Sequence, residues 1–559
     1  MKHRSAAPGT VALAALLALA GCNANPEGAG TGGSQPAGGT AKGGTLTILT
    51  SVSDQQFDPA KSQNLAITTL GLVLRRLTTW DVQPGKPAQV VPDLATDTGR
   101  TTDGGKTWTY TLKDGLRYAD GTPITAADVK YGVERSFAPE LSGGLGYHKG
   151  LLEGGAGYKG PYTGGELASI EVPDARTVVF HLKTAYGDWP WIASMPAFTP
   201  VPKAKDDPKV YSQKPVASGP YQVEDYQQGK AVRLVRNPSW DQATDPVRTA
   251  GPDRIVIQLA QDTTVQAQRL IADSGDDRNA FGAGFVPPAQ LAQIEQNPAA
   301  KARLVTSDAG ALAYLAINTR RGPLQDLRVR QAIAYAVDKR AFQVSAGGAI
   351  GGDLASTLIT PGIAGRAEYD LYPAGPSGDV AKAKQLLADA GQSTVSLTLL
   401  SRNDQPHLAQ SQAIQQGLQR AGITVTIKPV DDTAWEAEVT GDRGDYDLTV
   451  SSWQPDFPSA NGNIQPLFAT SEIAGGGYNI SRYSQPEVDD LINRATAETD
   501  QAKAQQLWAQ ADKRIMQDAP VVPLIYTKNS FLHGSNVRNF FVAAFPAYPN
   551  YLKVSLQQG

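Results

Sequence analysis

The stretch "TVSLTLLSRNDQPHLAQSQAIQQGLQRAGITVTIKPV", residues 394–430, decides the fold. Its last eight residues alternate: Ile423, Val425 and Ile427 take every second place, so one face of an extended chain is apolar. "TVSLTLL" (394–400) opens the stretch as another strand, and a helix is predicted through "SQAIQQGLQRAG" (411–422). Strand, helix and strand with short links make a βαβ unit. Parallel strands cannot be joined by a hairpin, so the helix serves as the crossover. The C-terminal half is therefore predicted to hold a mostly parallel sheet.

The flanking sequence extends this pattern. "DVAKAKQLLADAG" (379–391) places Val380, Ala383, Leu387 and Ala390 on one side and stops at Gly391, as a helix C′ glycine should. Asp326 is predicted to cap "LRVRQAIAYAVDKRAF" (327–342), in which Val329, Ile333, Val337 and Ala341 form one stripe. The N-terminal half is richer in strands. Leu46 and Ile48 alternate with threonines in "TLTILTSV" (45–52), as do Trp108, Tyr110 and Leu112 in "KTWTYTLKDG" (106–115). "RTVVFHLK" (176–183) and "RIVIQL" (254–259) continue the series. Between them Thr125 and Asp128 make a capping box ahead of Val129, Val133 and Phe137. No fixed-period repeat is present.

Composition narrows the class. At 559 residues the chain is too long for one core, so two or three domains are expected. With 41% hydrophobic and 19% charged residues it reads as globular, and a formal charge of −3 offers no basic stripe for nucleic acid. The five histidines (3, 148, 181, 407, 533) lack metal-ligand spacing, so neither metal nor cofactor is expected. G-x-S-x-G and H-E-x-x-H are both absent, which disfavours a secreted hydrolase. Two G-x-G-x-x-G matches, at Gly28-Gly30-Gly33 and Gly155-Gly157-Gly160, lack the strand and helix of a dinucleotide site.

Cys22 is the sole cysteine. It follows Lys2, Arg4 and the apolar run "VALAALLALA" (11–20), whose helical length of about 15 Å is roughly half a bilayer core. Residues 1–21 thus read as a signal peptide. Leu19-Ala20-Gly21-Cys22 resembles the lipobox of bacterial lipoproteins, which implies that Cys22 is acylated on sulfur and begins the mature chain. Residues 22–43, rich in Gly, Ala, Ser, Thr and Pro, read as a flexible linker.

Eight local patterns then occur in a telling order. They are "FDPA" (57–60), "DGLRYADGTPITAADVKYGVERS" (114–136), "SGPY" (218–221), "RNPSW" (236–240), "GPDRIVIQL" (251–259), "INTRRGPLQDLRVRQAIAYAVDKRAF" (317–342), "AKAKQLLADAG" (381–391) and "YDLTVSSWQPDFP" (446–458). Together they resemble the family 5 extracellular solute-binding proteins of ABC importers, the oligopeptide- and dipeptide-binding class. The resemblance runs from about Gly44 to the end. It implies a two-lobed α/β clamp of the periplasmic-binding-protein kind, with a subdomain inserted in the first lobe. By motif order, lobe I takes residues 44–82, 203–310 and 524–559, the insertion 83–202, and lobe II 311–523. The hinge is expected near Ala309–Leu315 and Leu524–Thr527. The implied protein is a monomeric, non-enzymatic receptor on the extracytoplasmic face of the cell membrane. Its partners are a peptide or other small solute, the permease subunits of an ABC transporter, and the membrane through its lipid. Oligosaccharides or nickel chelates, carried by other members of the class, are the alternative ligands.

The last pattern carries the site. Residues 446–453 read as a strand, and Asp456 follows its carboxyl end, where open α/β sheets place ligands. In peptide-binding relatives a Trp-x-x-Asp motif supplies an aspartate for the ligand's α-ammonium, and Trp453 and Asp456 match it. A carboxylate in a water-excluded cleft makes a short charge-assisted bond to such a group. The competing reading has Asp456 capping the turn before Pro458 and Trp453 packed in a core. Many relatives continue with an acidic-Pro pair, whereas here "FPSANGN" (457–463) follows. Gly219 and Tyr221 of "SGPY" are the further candidate ligand-binding residues, shaping lobe I near the cleft; the competing reading, favoured because Gly-Pro pairs commonly punctuate turns, is a purely structural turn. Trp189 and Trp191 are candidate cleft aromatics, against buried packing as the default for tryptophan.

Overall fold

The βαβ unit forms as predicted. In the computed structural model, which describes residues 42–392 and 394–557, Val395–Arg402 and Ile423–Val430 pair in parallel, Val395 opposite Ile423 and Arg402 opposite Val430. Helix Gln405–Arg420 crosses between them, started by Asp404, whose carboxylate accepts the His407 N–H at 3.1 Å. Its Ile414 and Leu418 join Val395, Leu397, Leu399 and Val425 in one core.

The complete sheet has six strands, in the order Gly352–Leu354, Val521–Thr527, Leu312–Ile317, Leu448–Trp453, Val395–Arg402, Ile423–Val430. Only the last three run parallel; the other pairs are antiparallel. This corrects the expectation of a mostly parallel sheet. The reason lies in how the chain enters and leaves. Leu312–Ile317 brings it in and Val521–Thr527 takes it out at the same end, where the Thr527 N–H donates to the Ala311 carbonyl at 2.8 Å. Two adjacent strands sharing one doorway in opposite senses have to be antiparallel. The boundary expected at residue 524 falls inside Val521–Thr527. Just outside, Ser307 N–H donates to Asn529 O at 2.9 Å, and Leu304–Thr306 pairs with Ser530–Leu532.

A second sheet has the order Ala280–Gly282, Thr45–Leu49, Arg254–Gln258, Ala231–Arg236, Tyr221–Gln227. Thr45–Leu49 is parallel to both its neighbours. It is buried on both faces rather than one: Leu46 and Ile48 enter the main core, while Leu49 packs with Leu270 and Leu532. A third, smaller sheet of Thr107–Thr111, Thr177–His181 and Ile170–Glu171 lies within the stretch read as the insertion. Trp108, Tyr110, Val178 and Phe180 are its buried face. Helix Ala126–Arg135 beside it has the predicted capping box, Thr125 N–H donating to Asp128 Oδ2 at 2.9 Å and Asp128 N–H to Thr125 Oγ1 at 3.4 Å.

Two helix ends show how far local rules reach. Helix Val380–Asp389 closes as predicted: Gly391 has φ +72°, and the Gln392 N–H returns to Leu387 O at 2.8 Å. The helix begun by Asp326, however, stops at Ala336, and a second helix, Lys339–Ser345, starts from Asp338. The predicted stripe is therefore split at Val337. Asp338 accepts the Ala341 N–H at 2.8 Å, capping instead of continuing. Gly417 of the crossover helix seats against this junction so closely that a Cβ there would lie 2.9 Å from the Asp338 nitrogen.

Candidate functional site

The carboxyl ends of three strands in the five-stranded sheet converge on one cleft of about 510 Å³. Thr50 and Val52 follow Thr45–Leu49, Ala283 follows Ala280–Gly282, and Ile257 sits near the end of Arg254–Gln258. Gln454, Pro455 and Asp456 form the wall contributed by the other large sheet, directly after Leu448–Trp453. Parallel strands leave this position open because their crossovers depart to either side, and the volume is typical of a small-ligand site.

Asp456 is half-buried in that wall. Tyr147, from helix Tyr147–Leu151, donates its hydroxyl to Asp456 Oδ2 at 2.5 Å, and its ring stands edge-on to Phe457 with centroids 5.7 Å apart. Burial first, and the Asp456 charge second, push the phenol far above its ordinary range, so it remains a donor. Oδ1 of Asp456 accepts no hydrogen bond from the described residues. A second carboxylate, Asp54, lines the cleft from the side of the five-stranded sheet and accepts the Tyr226 hydroxyl. Neither carboxylate is paired with Lys, Arg or His among the described residues.

Trp453 does not line the cleft. Its Nε1 donates to Gly462 O at 2.7 Å and its ring tilts against Tyr478, closing the base of the loop that carries Asp456. Tyr221 and Gly219 are not brought to the cleft either. Tyr221 is 1% exposed and donates to Pro252 O at 2.7 Å. The Gly219 N–H donates to Val73 O at 2.7 Å, and a Cβ at Gly219 would stand 2.9 Å from Leu72 O. Gly219 thus packs against the helix Thr69–Val73, whose Thr69 lines the cleft. Trp189 and Trp191 are buried away from it, Trp189 between Phe180 and Phe198.

The loop after Asp456 is fastened to the 186–188 turn. Ser459 donates to Asp188 Oδ2 at 2.7 Å and Asn461 donates to the Tyr186 hydroxyl at 3.1 Å, while the Gly187 N–H ties the same turn to the helix Pro486–Ala497 through Thr496 O at 2.7 Å. Burial pushes Asp188 up to about 6, against the opposing bonds from Ser459 and Asn461. Asp54, Gln55, Thr69 and Tyr147 escape the sequence reading. Asp54 and Gln55 obey the same carboxyl-end rule that singled out Asp456, so that signal was present; Tyr147 carries none.

A family model for bacterial extracellular solute-binding proteins, family 5 Middle, matches residues 89–475. The chain belongs to this family. The family 5 protein is similar to the probable D,D-dipeptide-binding periplasmic protein DdpA of Escherichia coli (strain K12), 26% identical over 504 residues, covering 89% of this chain and 91% of DdpA. It is also 28% identical over 449 residues to the glutathione-binding protein GsiB of Salmonella typhi, covering 79% and 81%. Among solved structures it superposes on clavulanic acid biosynthesis oligopeptide binding protein 2 with a TM-score of 0.83 and 31% identity, covering 93% and 96%. The resemblance read from the eight motifs is thereby borne out, with its two-lobed α/β clamp and its role as a solute receptor, not an enzyme.

Proposed function

We propose that this family 5 protein captures short peptides between its two large sheets and passes them to the permease of an ABC importer. The observation that carries the reading is Asp456: a half-buried carboxylate in the wall of a cleft of about 510 Å³, oriented through one oxygen by Tyr147 and open at the other. An α-ammonium offers three donors to such a group. Its similarity to a probable D,D-dipeptide-binding protein, a glutathione-binding protein and an oligopeptide binding protein supports the reading. In this reading lobe I holds the five-stranded sheet, lobe II the six-stranded sheet, and 83–202 the insertion, with the hinge at the doorway where residues 307–311 meet 527–530. The receptor acts as a monomer. Cys22, outside the described residues, tethers it to the extracytoplasmic face of the membrane.

The test is calorimetry on peptides found by native mass spectrometry of the protein mixed with a short-peptide library. Asp456→Asn should keep the fold and weaken binding by two to four decades, the consequence of breaking a charge pair worth about 3 to 5 kcal/mol. Acetylating the peptide's N-terminus should cost wild type a similar factor, and the two losses should not add. Equal binding of free and acetylated peptides would overturn the role of Asp456. Binding of oligosaccharides but no peptide would overturn the ligand class.

A further inference from the structure

We infer that the solute carries two positive charges, the second of them held by Asp54. The inference rests on the reading of Asp456 as an ammonium anchor. The cleft is electrostatically one-sided: Asp54 and Asp456 line it, and no Lys, Arg or His does so among the described residues. Three buried carboxylates elsewhere are instead paired with arginine. Asp58 meets Arg135 at 2.5 Å, and Asp93 and Asp245 share Arg75 and Arg248.

Each cleft carboxylate is oriented in the same way, by a tyrosine hydroxyl on one oxygen, Tyr226 on Asp54 Oδ1 and Tyr147 on Asp456 Oδ2. The other oxygen of each is unengaged by the described residues. Gln55 is an independent sign of an occupant. It is 7% exposed and lines the cleft, yet its side-chain amide has no hydrogen-bond partner among the described residues. The amide is open to the cleft, where an occupant can fill its valences. Asp54 and Gln55, neighbours in the chain that both line the cleft, bring a carboxylate and an amide oxygen to it, acceptors of the kind a guanidinium or an ammonium takes.

The walls matter as much as the charges. Asp54 and Gln55 follow a strand of the five-stranded sheet, and Asp456 follows a strand of the six-stranded sheet. Two like charges facing one cleft from different sheets oppose its narrowing when it holds only water. A ligand with one cation for each removes the repulsion and ties the walls together, so its differential affinity favours the closed state. A peptide with a free N-terminus and an arginine or lysine side chain has this pattern.

The experiment uses tripeptides Arg-Ala-Ala, Ala-Arg-Ala and Ala-Ala-Arg, each beside its citrulline counterpart, which keeps the shape and loses the charge. Titration calorimetry on the full chain should show arginine favoured over citrulline by about tenfold at one position, the value of a bond to a charged group. In Asp54→Asn the ratio at that position should fall to about one. Asp54 is exposed, so the substitution leaves the fold intact; an unchanged melting temperature checks this. A ratio near one at every position in wild type, or a preference that survives Asp54→Asn, overturns the inference. If acetylation still weakens binding in that case, the Asp456 reading stands and only the second anchor falls. Failure of every tripeptide to bind overturns both.

Discussion

Asp188 tests how the 186–188 turn is fastened to the loop after Asp456. The residue is buried, accepts the Ser459 hydroxyl, and is raised by burial from an ordinary 3.8 to about 6. The unfolded chain releases this proton near pH 4 and the folded chain near pH 6. Below about pH 4 both states hold it and the group contributes no difference. Between the two values only the folded state holds it, so stability falls as pH rises. Above about pH 6 both are ionised and the full cost is in place. A gap of roughly two units, at about 1.36 kcal/mol per unit, sets that cost near 3 kcal/mol. Asp188→Asn keeps a carbonyl acceptor for Ser459 and abolishes the titration. Relative to wild type, the variant should therefore gain about 3 kcal/mol between pH 4 and pH 7.5. Urea unfolding followed by tryptophan fluorescence, extrapolated to water at each pH, measures the gain. Identical pH slopes for the two proteins would refute the assignment of a buried, ionising Asp188.

The remaining predictions concern other parts of the frame. Asp93 accepts from Arg75 Nε at 2.7 Å and from both terminal nitrogens of Arg248 at 3.0 Å, so Asp93→Asn leaves those arginines one carboxylate, Asp245, and should cost about 3 to 5 kcal/mol in urea unfolding. Tyr221→Phe removes the bond to Pro252 and should cost about 1 kcal/mol of stability while leaving peptide affinity unchanged in calorimetry. Cys22→Ala should move the protein from the membrane to the soluble fraction and abolish fatty-acid labelling; labelling that persists refutes the anchor.

What the sequence disclosed was what short-range physics decides. The βαβ unit, the capping box at Thr125 and the glycine stop at Gly391 each depend on residues within one or two turns, and each is found. Strand direction depends on where the chain enters and leaves a sheet, which no local pattern encodes. At the break after Val337, Asp338 caps a new helix, and Gly417 of another helix packs against that junction. Asp456 was legible because its place follows from a strand's end. Its donor Tyr147, 309 positions away, was not. The "SGPY" turn is structural: Gly219 donates to Val73, in the helix that carries Thr69, and Tyr221 donates to Pro252.

The shared doorway also governs the order of assembly. Residues between Ala311 and Thr527 form one long excursion whose two ends are hydrogen-bonded neighbours. Only after it does the chain return to finish what it began at Thr45, with Leu552 and Val554 filling the first core and Tyr551 packing on Phe281 at 4.9 Å. Closing so large a loop adds an entropy that grows only as the logarithm of its length, but the contacts that repay it come last in the chain. Tyr548 and Tyr551 line the cleft, so the binding surface is complete only when the final segment has docked. A chain cut after Thr527 would lack Tyr548 and Tyr551, and with them part of the cleft's lining.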